Sequence, residues 1–121
     1  MKPEVINLNE KFLKIDAYYQ PKIIAQLNEN HFKLGKVKGD FVWHSHPETD
    51  EAFMVVDGEL EIEFRDGKIT LRKGEICVVP KGVEHKPFAR EECHIMMIEP
   101  AGTVNTGDAG GEKTVENPEW I

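Results

Sequence analysis

Between Glu59 and Phe64 polar and apolar residues alternate without a break, Glu-Leu-Glu-Ile-Glu-Phe, the period of a strand with one wet face. That period assigns Leu60, Ile62 and Phe64 to a core and the three glutamates to solvent. Similar short runs occupy 22–27, 32–38, 41–44, 51–56, 68–71, 75–79 and 93–99, with a further short one at 85–88. Turn signals separate them. Asp57-Gly58 and Asp66-Gly67 are hairpin signals, because glycine tolerates the positive φ that tight two-residue loops require. On this phase Ile69 and Leu71 also point inward, whereas Arg65 and Arg72 face solvent. Strands this short and numerous, with no helical crossovers, predict an all-β sandwich or closed barrel.

Helical periodicity is confined to the N-terminus. Leu8, Phe12 and Ile15 recur at i, i+4 and i+7, Asn7 can cap, and Glu10 completes a capping box, which predicts a short helix over 8–15. The stretch 101–121 is rich in Gly, Thr, Asn and Glu and has no period, so it reads as an irregular, mobile tail. Val104, Val115, Trp120 and Ile121 argue the other way, with Trp120 the best anchor for docking. The expected organisation is one domain over 1–121: a helix and arm at 1–21, a β-barrel at 22–100 and the tail.

Composition narrows the partners. Fifteen Lys and Arg against 22 Asp and Glu, a formal charge of −7 over 121 residues, disfavour nucleic acid and anionic membranes. No apolar stretch approaches a membrane span, and Met1-Lys2-Pro3-Glu4 does not open a secretory signal, so a cytoplasmic protein is expected. Cys77 and Cys93 sit in apolar runs and read as packing residues.

The chemistry concentrates in His44, His46, Glu51 and His85. Residues i and i+2 of a strand share a face, so His44 and His46 can present two imidazoles to one ion. Pro47-Glu48-Thr49-Asp50 is turn-like and lets Glu51 return a carboxylate at the start of the next strand. His85 would complete the set from across the sheet. Neutral imidazoles with one carboxylate suit a divalent Fe, Mn, Ni, Co or Zn ion and leave coordination positions open.

With these residues in this order the chain resembles the cupin superfamily of small jelly-roll barrels, over about 32–99. Gly39, His44-Ser45-His46, Glu51 and Gly58 match the first of that family's two motifs; Gly74, Pro80-Lys81-Gly82 and His85 match the second. Gly39 stands one residue nearer to His44 than the pattern usually has, and Ala89 occupies a position often held by asparagine. The resemblance implies a double-stranded β-helix and the four residues above as metal ligands. The family's variable spacing makes Asp50 a rival to Glu51.

Cupins include dioxygenases, isomerases, decarboxylases, storage proteins and sensing domains, so the fold leaves the reaction open. The resemblance and the open site together imply a metal-dependent dioxygenase or isomerase acting on a small organic molecule; the alternative is a non-catalytic ligand-binding or sensing module that works with a protein partner. Candidates for the cavity wall are Phe41, Trp43, Phe53, Val55, Val79, Phe88 and Met96. Lys86 is the one basic residue placed near the mouth, Arg90 being in a loop, which is thin support for phosphate recognition. Glu48, Asp50, Glu84 and His94 are the nearest candidates for proton transfer; His94 lines the cavity only if its face, shared with Met96 and Ile98, points inward. His31 reads as a surface loop residue. A homodimer is expected, since jelly-roll edges invite pairing, with Tyr18, Tyr19 or Trp120 completing the contact.

Overall fold

The computed structural model describes all residues, Met1–Ile121. A short helix, α1 (Leu8–Phe12), precedes seven strands: β1 (Lys22–Leu27), β2 (Asn30–Asp40), β3 (Glu51–Asp57), β4 (Glu59–Phe64), β5 (Gly67–Arg72), β6 (Ile76–Val79) and β7 (His85–Pro100). Every pairing between strands is antiparallel, in the order β1-β2-β7-β3-β6, with β4 joining β7 to β5. This is the expected jelly-roll barrel with a short N-terminal helix.

Strand β7 is the hub. Its first residues, His85 to Phe88, pair with β4, and its later ones pair with β2 on one side and β3 on the other. The runs expected at 85–88 and 93–99 are therefore one continuous 16-residue strand that passes from one sheet to the other. The strand expected at 41–44 does not form. Regular pairing of β2 ends at Asp40, and beyond it His44 makes only an isolated bridge to His85.

Alternation divides the apolar residues into two layers. Val37, Phe53, Val55, Leu60, Ile62, Leu71, Val79, Ala89, Cys93 and Ile95 fill the barrel. On the outer face of β2, β7 and β3, Leu34 and Met96 pack beneath Phe12, Ile15 and Ile24. The central strands are thus buried on both faces, which explains why β2 and the second half of β7 lack the clean alternation of β4. Ile69 faces Ile62 across the β4–β5 hairpin, yet at the barrel's rim it stays 39 % exposed.

The helix is shorter than the predicted 8–15, because the backbone after Phe12 tightens into turns: Lys14 N–H donates to Lys11 O and Ile15 N–H to Phe12 O. Its cap is as expected, with Asn7 Oδ1 accepting from Glu10 N–H at 3.0 Å. Phe12 and Ile15 still reach the outer layer.

The C-terminal segment is docked. Ile23 N–H donates to Glu119 O, Ile121 N–H donates to Ile23 O, and Lys11 Nζ donates to the Ile121 backbone at 2.7 Å. Ile121 packs on the outer layer, whereas Trp120 is half exposed and meets His31 edge-on at 5.4 Å between ring centroids. His31 accordingly lies in β2 and not in a surface loop.

Truncation of a barrel residue should cost far more than truncation at the exposed edge. Leu60→Ala, at a fully buried position, is expected to lower unfolding free energy by about 2–5 kcal/mol in urea titrations. Ile76→Ala, at a position 67 % exposed, should stay within about 0.5 kcal/mol of the parent.

Candidate metal centre

The loop after β2, the first residue of β3 and the first residue of β7 converge at one end of the barrel. His44, His46, Glu51 and His85 are all buried there, and one ligand atom from each lies within 4.8 Å of the others. That span suits a single coordination sphere, in which opposed ligands about 2.1 Å from an ion stand about 4.2 Å apart.

Two backbone carbonyls set the tautomers. His44 Nδ1–H donates to Val42 O at 2.8 Å, and His85 Nδ1–H donates to Val83 O at 2.9 Å. Each ring therefore carries its proton on Nδ1 and turns the Nε2 lone pair toward the cluster. His46 Nε2 and His85 Nε2 lie 3.3 and 3.4 Å from the same oxygen, Glu51 Oε1. All three atoms are buried without a hydrogen-bond partner. Buried polar atoms left in that condition are costly, and imidazole nitrogens gathered about a carboxylate oxygen are the donor set a cation needs. The cluster is thus capable of coordinating a divalent transition ion, and its donors fit one.

Three tethers hold the surrounding loops. His44 and His85 exchange backbone hydrogen bonds at 3.0 and 2.9 Å. Gly82 N–H donates to His46 O, and Lys81 N–H donates to Asp50 Oδ1, so the two metal-motif loops are sewn together. From the C-terminal segment Asp108 clamps Ser45: Oδ1 accepts from Ser45 N–H at 2.8 Å, Oδ2 accepts from Ser45 Oγ at 3.1 Å, and Asp108 N–H returns a bond to Ser45 O. These bonds keep the Asp108 carboxyl below its usual range. The neighbouring Gly107, at φ +53°, has room for no side chain, since a Cβ there would lie 2.1 Å from Ser45 O.

Burial dominates the electrostatics. It lowers His44 to a pKa of about 4, with the neighbouring His85 and His46 acting in the same direction and the bond to Val42 O opposing them. For Glu51 burial acts upward, but the adjacent Glu99, His46 and His85 outweigh it and hold the carboxyl well below the ordinary range. Glu99 moves the other way, raised by burial and by the adjacent Glu51, with Lys33 opposing.

Lys33 and Glu99 were not foreseen from the sequence. Lys33 shares the inward phase of Gly35 and Val37 on β2, and Glu99 that of Ile95 and Met97 on β7; both side chains are 1 % exposed and their charged ends lie 2.9 Å apart. The signal was present in the phase of each strand, but a polar residue in such a run reads by default as facing water.

The other candidates disperse. Asp50 is exposed and occupied with Lys81, which leaves the carboxylate position to Glu51. Glu48 is exposed, and Glu84 pairs with Arg65 at the surface. His94 points outward, stacked on Phe12 at 4.4 Å and bonded to Glu92 at 2.8 Å, because its phase on β7 is that of the outer layer. Lys86 is taken up by Asp40 and Glu63. None of these reaches the four-residue cluster.

A small cavity of about 40 Å³ opens beside the cluster, with His44 and Glu51 in its wall. Tyr19, Val37, Phe41, Phe53, Ile95 and Met97 provide most of the apolar lining, and neither lysine nor arginine contributes. Of the expected wall residues Phe41 and Phe53 hold their places, and Val55 and Val79 lie deeper in the barrel core. Met96 belongs to the outer layer, Phe88 turns to the exterior beside Glu59 and Glu61, and Trp43 lies under the Arg65 guanidinium at 3.8 Å.

The Cupin domain model matches residues 31–99, more than half of the chain. The chain belongs to the Cupin_2 family. A cupin-2 domain containing protein from Shewanella frigidimarina is 57 % identical and superimposes with a TM-score of 0.79, covering 79 % of this chain and 94 % of that one. Uncharacterized protein YdbB of Bacillus subtilis is 36 % identical over 64 residues, which are 52 % of this chain; the match spans 57 % of the length of YdbB. The cupin fold alone is shared with hydroquinone 1,2-dioxygenase from Sphingomonas sp. TTNP3, at 17 % identity and a TM-score of 0.67 over 83 % of this chain and 81 % of that one.

A pH titration of stability in chelator-treated protein should report His44. Between pH about 4 and 6.5 the unfolded chain holds a proton on this ring that the folded chain refuses, so stability is complete above 6.5 and falls as the pH drops toward 4. His44→Gln should remove up to about 3 kcal/mol of that loss in urea melts at pH 4 against pH 7.

Proposed function

We propose that this cupin is a metal-dependent enzyme, a dioxygenase or isomerase, acting on a small organic molecule that brings oxygen donors to the ion and an apolar body to the cavity. The supporting observation is one juxtaposition: a buried His-His-Glu-His cluster beside a cavity whose wall is almost entirely apolar. His44, His46 and His85 would hold the ion through Nε2 and Glu51 through Oε1. A bound divalent ion supplies Lewis-acid or redox activation of substrate oxygens. The chain's own contribution is to orient two of the three imidazoles, His44 and His85, through Val42 O and Val83 O, to keep a single carboxylate charged, and to exclude water with Phe41, Phe53 and Met97.

Three neutral imidazoles and one carboxylate leave a divalent site net positive, which favours carboxylates, diols, phenols and hydroxyketones. Phosphorylated substrates are disfavoured by the lack of a basic side chain in the cavity lining.

The same reading places the protein in the cytoplasm as a homodimer with no nucleic-acid partner. Support comes from the two free thiols, from the acidic balance, and from β6, an edge strand that exposes Ile76 and Val78. No helix is long and apolar enough to cross a membrane.

Untagged protein should purify with close to one equivalent of a transition ion and should consume at least one member of a panel of catechols, hydroquinones, hydroxyketones and hydroxy acids. His46→Ala should abolish both. A metal-loaded protein that binds members of the panel but consumes none would mark it as a binding or sensing module instead. Light scattering at micromolar concentration should give the mass of a dimer; a monomer would overturn that assignment.

A further inference from the structure

Beneath the cluster the barrel buries a second set of charges that the proposed chemistry leaves unused. Lys33 Nζ donates to Glu99 Oε1 at 2.9 Å and to Thr103 O at 3.0 Å, at the root of the C-terminal segment. Glu99 stands one residue beyond the Ile98–Ala52 pair of β7 and β3, which sets its side chain beside that of Glu51, and both residues are buried. Lys33 and Glu99 come from neighbouring strands, β2 and β7, and Glu51 from β3 on the other side of β7, so the arrangement crosses three strands of the sheet.

A buried ion pair is a poor way to gain stability, because desolvation of both charges cancels most of their attraction, and an apolar pair of similar volume commonly does as well. This one has nonetheless been placed with the Glu99 side chain beside that of Glu51, the residue that faces His46 and His85. Glu51 opens its strand and its side chain has several rotatable bonds; a neighbour on its far side restricts it to the rotamer that presents Oε1 to both Nε2 atoms. Partners of this kind, behind a ligating group, commonly change metal affinity by about 10–100-fold when removed.

We propose that Lys33 and Glu99 are positioning residues for the metal centre: Lys33 fixes Glu99, and Glu99 fixes the carboxylate of Glu51 in its ligating orientation. The inference rests on the reading of the cluster as a metal site. It adds a device on the far side of Glu51 that touches neither ion nor substrate. Through Thr103 O the same lysine ties the start of the C-terminal segment to the floor of the site.

Cobalt(II) alone serves as the probe, with affinity measured by competition against a chelator and geometry by the visible d–d spectrum. The apolar double variant Lys33→Met/Glu99→Leu should keep the parent's circular dichroism and melting temperature yet bind cobalt about 10–100-fold more weakly with an altered spectrum. Glu99→Gln keeps shape and hydrogen-bonding reach to both neighbours, and should retain affinity to within about threefold. If the double variant does not fold, Lys33→Met/Glu99→Met presents a second apolar pair of different shape, and Glu99→Gln decides the matter on its own: a loss beyond about tenfold there overturns the proposal. It is equally overturned if a folded apolar variant binds cobalt with the parent's affinity and spectrum. Failure of the parent itself to bind one equivalent, or undiminished binding by His46→Ala, would instead sink the metal site on which the inference stands.

Discussion

Everything in this barrel is arranged around a cost: four side-chain donor atoms, from His44, His46, Glu51 and His85, have been removed from water and gathered within 4.8 Å of one another. Val42 O and Val83 O take the only ring protons of His44 and His85, so those imidazoles have nothing left to donate toward Glu51. Across 3.4 Å His85 Nε2 and Glu51 Oε1 oppose one another as acceptors in a dry interior, and repel unless a proton or a cation joins them. A divalent ion satisfies all four atoms at once, and this accounts for the density of backbone tethers that hold the loops in an otherwise unfavourable arrangement.

The scaffold meets that cost through β7. One strand provides His85 at its start, Glu99 beside Glu51 at its end, and pairing to three other strands between, so the site is braced by the most constrained backbone in the fold. Loops complete it. Gly82, Lys81 and Asp108 each bond to the backbone or side chain of the segment that carries His44 and His46, so that segment needs no strand of its own. The C-terminal stretch is therefore part of the site's wall. That is consistent with Thr106 being fully buried and with Gly107 sitting against Ser45, where no larger residue fits.

The barrel and the ligand cluster were legible in the residues because each rests on local chemistry: period-two alternation in β4, glycine after aspartate in the hairpins, and histidines at i and i+2. What escaped depends on contacts far apart in sequence. The outward orientation of His94 is set by α1, since Phe12 covers a face that alternation alone could equally have turned inward. Docking of the tail depends on Asp108 finding Ser45, 63 residues away, and on Ile121 bonding to Ile23. Lys33 and Glu99 were hidden for a different reason. Charged residues are presumed wet, and nothing short of the pairing between β2 and β7 shows that these two bury each other.

Anomalous scattering from crystals of the protein, collected at the absorption edge of the ion it retains or is soaked with, addresses the metal centre most directly. One strong peak should lie about 2.0–2.3 Å from Nε2 of His44, His46 and His85 and from an oxygen of Glu51. A peak elsewhere with these side chains unmoved, or imidazoles splayed beyond coordinating distance at saturating ion, would contradict the view that this interior is built to hold a cation.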